Sequence, residues 1–590
     1  MDPKALHEWV VTLHRKEDLE SFYDDMETPG GNLFIPNRAV DVANKRPISR
    51  NTHYMLTYDE AELVKNDDRV WDVTLHDLMI LATPKPLGYK IENKDFSKSN
   101  TTNAGHTQWG FVTHSDDTLR STWSSTSTTS LTGVDLTITA SGKNVDVLIV
   151  DGHIDPDHPE FARFADGGGG SRVQQINWFD YGGSGTYVYT PYSQVSDPPG
   201  GGLSGDNNHG AHCAGTVAGN TQGWARDSDI YNISPYGSNP NGNISTTMWD
   251  YIRAWHNSKP INTDTGRRNP TISNHSYGSS LTHIRGGYGS IAFPYEITYR
   301  GTTVSVPSNQ ELTTAQLEAR GINCYQTSVD TDGDGIADTV VDACDTQYYD
   351  TARFADIQDA IDDGIIICYA AGNENALITK AGDVDYDNRH KWLYLNLFTY
   401  DLPYHRGSSS GQGVDNTIVV GCVDNYMQGN DHRKTSYSNW GSAVDIFAAG
   451  DYIQSAVNDT TKVSTGLSTA ADSRGGTNPL GVAYGQSKYP GTSMASPQVT
   501  GVLALLAETW QGMTQADAQA WVRENALVDK LYESGTIDPT QLYNLGTADN
   551  LMLFWKNQRK ESGSTYPLKT AGRREKSSIK YPRPRIRRRG

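Results

Sequence analysis

Two hydrophobic patterns divide the chain. Between residues 7 and 76, HEWVVTLH, THYMLTY and VWDVTLH alternate apolar with polar positions, the period of half-buried strands. KEDLESFYDDME and DEAELVKNDDR lie between them and are polar with helical spacing. Two strand–helix–strand passages of this size predict a small ferredoxin-like α+β sandwich, assigned to residues 1–83. Residues 77–143 become rich in Ser, Thr, Gly and Asn, with SSTSTTS at 124–130 the extreme. They are expected to form an exposed connector with few apolar anchors, 84–143, in which a processing site would fit.

From Asn144 the apolar runs are short and continuous, as in strands buried on both faces of a parallel sheet. VDVLIVDG, DSDIYNI, NPTISNHSYG, GIIICYAAGN and TIVVGCVD are the strand candidates, and HGAHCAGTVAG and FADIQDAIDD are helical stretches between them. The alternation predicts an α/β domain over 144–556, a mostly parallel sheet with helices on both faces and its active site at the carboxyl ends of the strands. SMASPQVTGVLALLAETW is apolar on most faces and should be a buried helix. TQADAQAWVREN opens a second helix with a Thr514/Asp517 capping pair. Polar insertions interrupt the pattern near 279–350, 376–412 and 456–490.

Charge adds a tail to this picture. The formal net charge is −19, yet the ten Lys and Arg from Lys569 onward, against Glu575, make the end of the chain +9 and leave −28 elsewhere. The 557–590 tail is therefore expected to be disordered in isolation, docking on an acidic protein surface in preference to nucleic acid, because only Tyr581 offers a base-stacking platform. No apolar run approaches the roughly 18 residues of a membrane span. The N-terminus MDPKALHEWVVTLHRKEDLE does not read as a secretory signal, so the expected location is cytoplasmic, virion-associated or reached by another export route. Of five cysteines, Cys213, Cys368 and Cys422 sit in apolar segments and read as small buried thiols, which leaves Cys324 and Cys344 as the one candidate pair.

Three segments carry an acid, an imidazole and a hydroxyl. Asp151 ends the run VDVLIV, His209 begins a small-residue helix in NNHGAHCAG, and Ser493 begins another in GTSMASP. A serine needs a neighbouring base to become nucleophilic, and the base needs a carboxylate to fix its tautomer, so the set is chemically complete. His212 reads as a buried, hydrogen-bonded histidine, and Asp155 and Asp157 as turn carboxylates. Asn373 in AAGNEN either caps a turn or, following a buried strand, donates its amide to an oxyanion.

Asp151 in IVDGHIDPDHPEF, His209 in HGAHCAGT, Asn373 in AAGNEN and Ser493 in GTSMASPQVTG resemble, in order and context, the motifs of the subtilisin-like serine proteases. The resemblance covers about 144–527. It implies a subtilisin-like fold, a serine endopeptidase working through an acyl-enzyme, protein or peptide substrates, and Ser276, Tyr277 and Gly278 as the strand that pairs with substrate. It also makes the N-terminal unit similar to the family's inhibitory propeptide, so an autoprocessed zymogen is expected. Gly152 and His153 depart from the usual Ser or Thr then Gly after the acid, and the loop that carries calcium in some secreted members is missing after HGAHCAGTVAG, so Glu160 is not assigned to that site. A different calcium site is expected in DTDGDGIAD, where Asp330, Asp332, Asp334 and Asp338 have calcium-loop spacing. The twelfth position is Val341, with Asp342 beside it, and a solvated acidic turn is the alternative. Against the peptidase stands a structural or interaction protein, for example a particle component, built on the same domain with reduced or no catalysis. A nucleic-acid-binding module rests on the tail alone.

Overall fold

The computed structural model describes residues 5–35, 42–44, 49–76, 85–86, 109–115, 140–164, 167–175, 208–233, 244–287, 291–330, 337–394, 398–407, 413–414, 416–428, 431–463, 467, 469–532, 545 and 548–555. The SSTSTTS stretch, Asp332, Asp334 and the basic tail lie outside them.

The large domain is organised by a mixed sheet whose parallel strands run in the spatial order Val173–Gln175, Asp229–Ile233, Asp146–Val150, Thr271–His275, Ile366–Ala370, Ile418–Gln428 and Ile446–Ala449. The continuous apolar runs have a simple cause. Val147 and Ile149 face one core, shared with the helices His209–Ala218 and Thr492–Thr509, while Leu148 and Val150 face another, shared with Ile244–Ser258 and Thr351–Asp362. Both faces are covered, so alternation disappears. Val502, Leu503 and Leu505 of the helix Thr492–Thr509 are fully buried, and truncating one to Ala is expected to cost about 2–5 kcal/mol.

The N-terminal unit is the ferredoxin-like sandwich that its pattern predicts. Val42–Asn44, Asn51–Leu56, His7–Leu13 and Val70–Leu75 lie side by side in that order, all antiparallel, with Leu19–Glu27 and Tyr58–Lys65 as the crossover helices. One face of the sheet, with Trp9, Val11, Tyr54 and Leu56, forms a core with those helices and with Leu281, Ile291, Tyr348 and Trp392 of the insertions. The other face docks on the helix Thr351–Asp362. Val10 packs on Ala352, Asn51 Nδ2 donates to the Ala352 carbonyl (2.9 Å), Thr351 Oγ1 to Asp72 (2.8 Å) and Ser49 Oγ to Asp356 (2.7 Å).

One expectation is corrected. Part of the presumed connector is a buried helix, Trp109–Ser115, in which Trp109 Nε1 donates to the Asp451 carbonyl (2.8 Å) and Phe111 meets Trp224 edge-on. Seven residues in a polar surrounding give too short a run for periodicity to register. The insertions carry structure of their own. They form small antiparallel sheets: Ser280–Ile284 with Thr339–Gln347 and Cys324–Val329, Glu296–Tyr299 with Thr302–Ser305, Arg389–Tyr394 and Phe398–Pro403, and Ile453–Val457 with Gly485–Tyr489 and Thr469–Ala471.

Candidate active site

Asp151, Ser276 and Asn373 each follow a central parallel strand at its carboxyl end, where α/β sheets present their ligand sites. Asp151 and His209 are almost wholly buried, and His209 Nδ1 lies 2.7 Å from Asp151 Oδ1, which also accepts from the Gly152 amide (2.6 Å). Asn232, on the adjacent strand, fixes the turn by donating from Nδ2 to the carbonyls of Ile149 (3.1 Å) and Gly152 (3.3 Å). The His209 helix reaches this turn only because residue 210 is glycine: a Cβ there would stand 2.1 Å from the Gly152 carbonyl oxygen.

Burial disfavours the charged imidazole of His209, but the Asp151 carboxylate, helped by Cys213, outweighs it and holds the pKa well above the ordinary 6.5. With Asp151 on Nδ1, Nε2 is the nitrogen set to take a proton.

Ser493 opens the helix Thr492–Thr509, and Pro497 four residues on has no N–H for its carbonyl. The freed Ser493 carbonyl accepts instead from Ser276 Oγ (3.0 Å) and Cys213 Sγ (3.4 Å). Ser493 Oγ in turn donates to the Ser276 carbonyl at 3.3 Å. The Ser493 backbone is thereby tied to Ser276 and to the helix His209–Ala218 together. Cys213 also lies 4.0 Å from His209 Nδ1.

Asn373 is oriented by Thr492, whose N–H and Oγ1–H both donate to Asn373 Oδ1 (3.0 and 2.8 Å). A Cβ built on Gly491 would fall 3.5 Å from Asn373 Nδ2 and 3.7 Å from the Ser493 nitrogen, so two nitrogen donors flank one small space that Gly491, at φ +148°, leaves open. An acid–imidazole pair, a helix-start serine and two neighbouring nitrogen donors lie at the mouth of the sheet.

The sequence profile of the subtilase family, peptidase family S8, matches residues 142–550. The chain belongs to the subtilase family. It is 31% identical to alkaline serine exoprotease A of Vibrio alginolyticus over 116 residues, 20% of this chain and 17% of the relative. It is 22% identical to the subtilisin-like proteinase Spm1 of Pyricularia oryzae over 334 residues, 56% of this chain and 40% of the relative. The chain thus spans less than half the length of the curated relatives it matches. Among solved structures it resembles a cold-adapted subtilisin-like serine proteinase at 19% identity, covering 71% of this chain and 92% of that one, with a TM-score of 0.36. Fervidolysin from Fervidobacterium pennivorans matches at 16% identity, over 93% of this chain and 61% of that one, with a TM-score of 0.44.

Neighbouring residues of this subtilase take the structural roles their context predicts. His212 Nε2 bonds to the carbonyls of Ile453 (2.9 Å) and Ser487 (3.1 Å), its ring stacks on Tyr489, and burial pushes its pKa down to about 3. Asp155 accepts from the Asp157 amide within a turn. Glu160 is buried against Arg474, Thr221 and the Gln222 amide. Tyr277–Gly278 forms a short strand, and its antiparallel partner is Lys85–Pro86, from the segment after the N-terminal unit. Cys324 and Cys344 are a disulfide between directly opposed strand positions, and Cys213, Cys368 and Cys422 are free and buried.

The pair closes the hairpin that carries the candidate calcium loop. Of its four aspartates, Asp330 and Asp338 flank the turn, and Asp332 and Asp334 lie outside the described residues. Asp342 Oδ2 accepts from Thr314 Oγ1 (2.9 Å) and lies 3.3 Å from Arg285 Nε. Among the described residues no helix is long and apolar enough to cross a membrane. Thr492 and Gly491 were not separable as site residues by sequence reasoning from the apolar and small residues around them, whereas Cys213, four residues after His209 at a helix start, shares its face as that spacing implies. The roles of Thr492 and Gly491 come from which chain ends meet.

Proposed function

We propose that this subtilase is a serine endopeptidase, made as a zymogen whose N-terminal unit holds the substrate strand until it is cut. The carrying observation is the buried Asp151–His209 contact beside a serine whose carbonyl is shared by Ser276 and Cys213. Ser493 Oγ attacks the scissile carbonyl while His209 Nε2 takes its proton. The oxyanion accepts from Asn373 Nδ2 and the Ser493 amide. His209 then delivers the proton to the leaving amine, and water releases the acyl group by the same path in reverse. A fluorophosphonate should label Ser493 stoichiometrically and Ser493→Ala should be inert and folded. Undiminished peptidase activity in that variant would remove the assignment.

The zymogen half is supported by where Lys85–Pro86 lies. Tyr277 pairs with Pro86 and Gly278 with Lys85, next to Ser276, whose carbonyl accepts from Ser493 Oγ. The expected cut is Leu87–Gly88 or an adjacent bond, upstream of the buried helix Trp109–Ser115, which stays with the mature enzyme. Intact-mass and N-terminal sequencing of active protein test this against the Ser493→Ala chain, which should stay whole. Active enzyme that keeps Met1, or a cut beyond residue 109, contradicts it.

A further inference from the structure

The face of the N-terminal sheet that docks on the large domain carries a side-chain cluster outside the candidate active site. Glu8, His53 and His76 come from the strands His7–Leu13 and Asn51–Leu56 and from the residue that follows Val70–Leu75. The central strand places Val10 opposite both His53 and Thr74, and Trp9 opposite Leu75, so Glu8 points to the same face as His53 and His76. Glu8 lies between them. Its Oε1 is 2.7 Å from His53 Nδ1 and its Oε2 is 3.5 Å from His76 Nδ1, and the two imidazole centroids are 5.5 Å apart. One donor atom from each of the three falls within 4.8 Å of the others. His53 is fully buried and His76 nearly so, while the Glu8 side chain keeps about a third of its surface, leaving one open side.

Two imidazoles turning the same nitrogen onto one carboxylate form a donor set of the kind that binds zinc, with nitrogen and oxygen ligands at about 2.0–2.2 Å and a fourth position for water. Tetrahedral ligands at that radius stand roughly 3.3–3.5 Å apart, close to the present His76–Glu8 separation. A small ring movement about His53 opens the remaining edge. Glu8 and His53 sit in paired strands and His76 directly follows a paired strand, so little ordering remains for the ion to impose. Calcium and magnesium prefer all-oxygen sets and are poor matches for two imidazoles.

We propose that Glu8, His53 and His76 form a binding site for a zinc-class divalent ion that clasps three strands of the N-terminal unit. The ion replaces a proton on the imidazole nitrogens, so binding releases protons and weakens in acid. It binds the folded sheet in preference to the unfolded chain and stabilises it by mass action. This site stands independently of the peptidase assignment.

The test uses untagged full-length Ser493→Ala protein, which retains the N-terminal unit whatever the processing. Zinc titrated by calorimetry should bind with one equivalent at this site, the melting temperature of the N-terminal unit should rise, and EDTA should reverse it. Cobalt should bind with a spectrum free of thiolate charge transfer, which separates this site from the buried Asp151, His209 and Cys213 group. His76→Gln and, at the open side, the milder Glu8→Gln should each weaken zinc at least about 100-fold while circular dichroism stays unchanged. Absence of binding at tens of micromolar zinc overturns the proposal. So does an equivalent that persists in folded Glu8→Gln protein, or that disappears with Cys213→Ala instead.

Discussion

Thr492 makes Asn373 a donor. With Oδ1 held by the Thr492 amide and hydroxyl, the asparagine's other polar atom, Nδ2, is the one that the proposed mechanism directs to the oxyanion. Asn373→Ala should therefore lower kcat by about 100- to 1,000-fold with KM little changed, the size measured for such a donor in subtilisin itself. Gly491→Ala should act on the same step by filling the space between the two nitrogens, and the pair of substitutions should be far from additive. Full additivity in kcat would place the two residues in separate roles. The raised pKa of His209 has a sign that can be read in solution. The base works unprotonated, so the ascending limb of kcat/KM against pH should lie above the ordinary histidine value of about 6.5. An ascending limb at or below 6.5 contradicts the Asp151 effect. Asp151, His209, Asn373 and Ser493 were legible as residues because each carries its own short context. Thr492 and Gly491 were not, since their function is a distance to an atom more than 100 residues away.

At the scale of elements, the helix starts and the strand ends were legible and the insertions were not. Continuous apolar runs between glycines and polar turns mark doubly covered strands, and the Thr514/Asp517 pair forms the capping box that its spacing implies. The small sheets in the insertions are short, half exposed and polar on one side, so their alternation is diluted by charged residues. One such element carries a prediction. The hairpin Cys324–Val329 to Thr339–Gln347 is closed by the disulfide at one end and holds Asp330 and Asp338 at the other. If calcium binds there, one millimolar calcium should raise the melting temperature, and Asp330→Asn/Asp338→Asn should abolish the rise without affecting activity. A melting curve indifferent to EGTA removes the site. The histidine helix carries another. Cys213 is fully buried, and burial pushes its thiol up to about 11, so it should resist alkylation in the native enzyme. A mercurial that does reach it lies one turn from His209 and should inactivate. Cys213→Ala should be active and resistant, and equal sensitivity of the two proteins rules out this route.

Over the whole molecule, histidines buried in the neutral form set the response to acid. His212 and His275 are pushed down to about 3 and His283 to about 4, and His390 falls well below the ordinary value, in each case first because burial disfavours the cation. The unfolded chain takes up protons at these positions near pH 6.5 and the folded chain does not. Between about pH 6.5 and 4, stability is therefore lost as pH falls, at roughly 1.4 kcal/mol per pH unit for each histidine. Asp359 and Asp445, pushed up to about 6 chiefly by burial, act in the opposite sense over pH 6 to 4, because the folded state protonates them first. Asp155, Asp229 and Asp350 are raised by burial in the same sense, but His158, His256 and His405 join the imidazoles that burial holds below their ordinary value, and the imidazoles act from pH 6.5 downward, so the melting temperature of the Ser493→Ala chain should fall from pH 7 to pH 5. The location of the loss is also fixed. His283 and His390 meet edge to face in the insertions, beside Trp392, which shares the apolar core of the N-terminal unit. Charging either ring loosens the surface against which that unit is held. His390→Phe fills the same buried place without a titrating group and should flatten the slope of melting temperature against pH, with its largest gain at pH 5 and little change at pH 8. A slope identical to that of the parent would show that these imidazoles are protonated without cost, and that acid acts on the protein elsewhere.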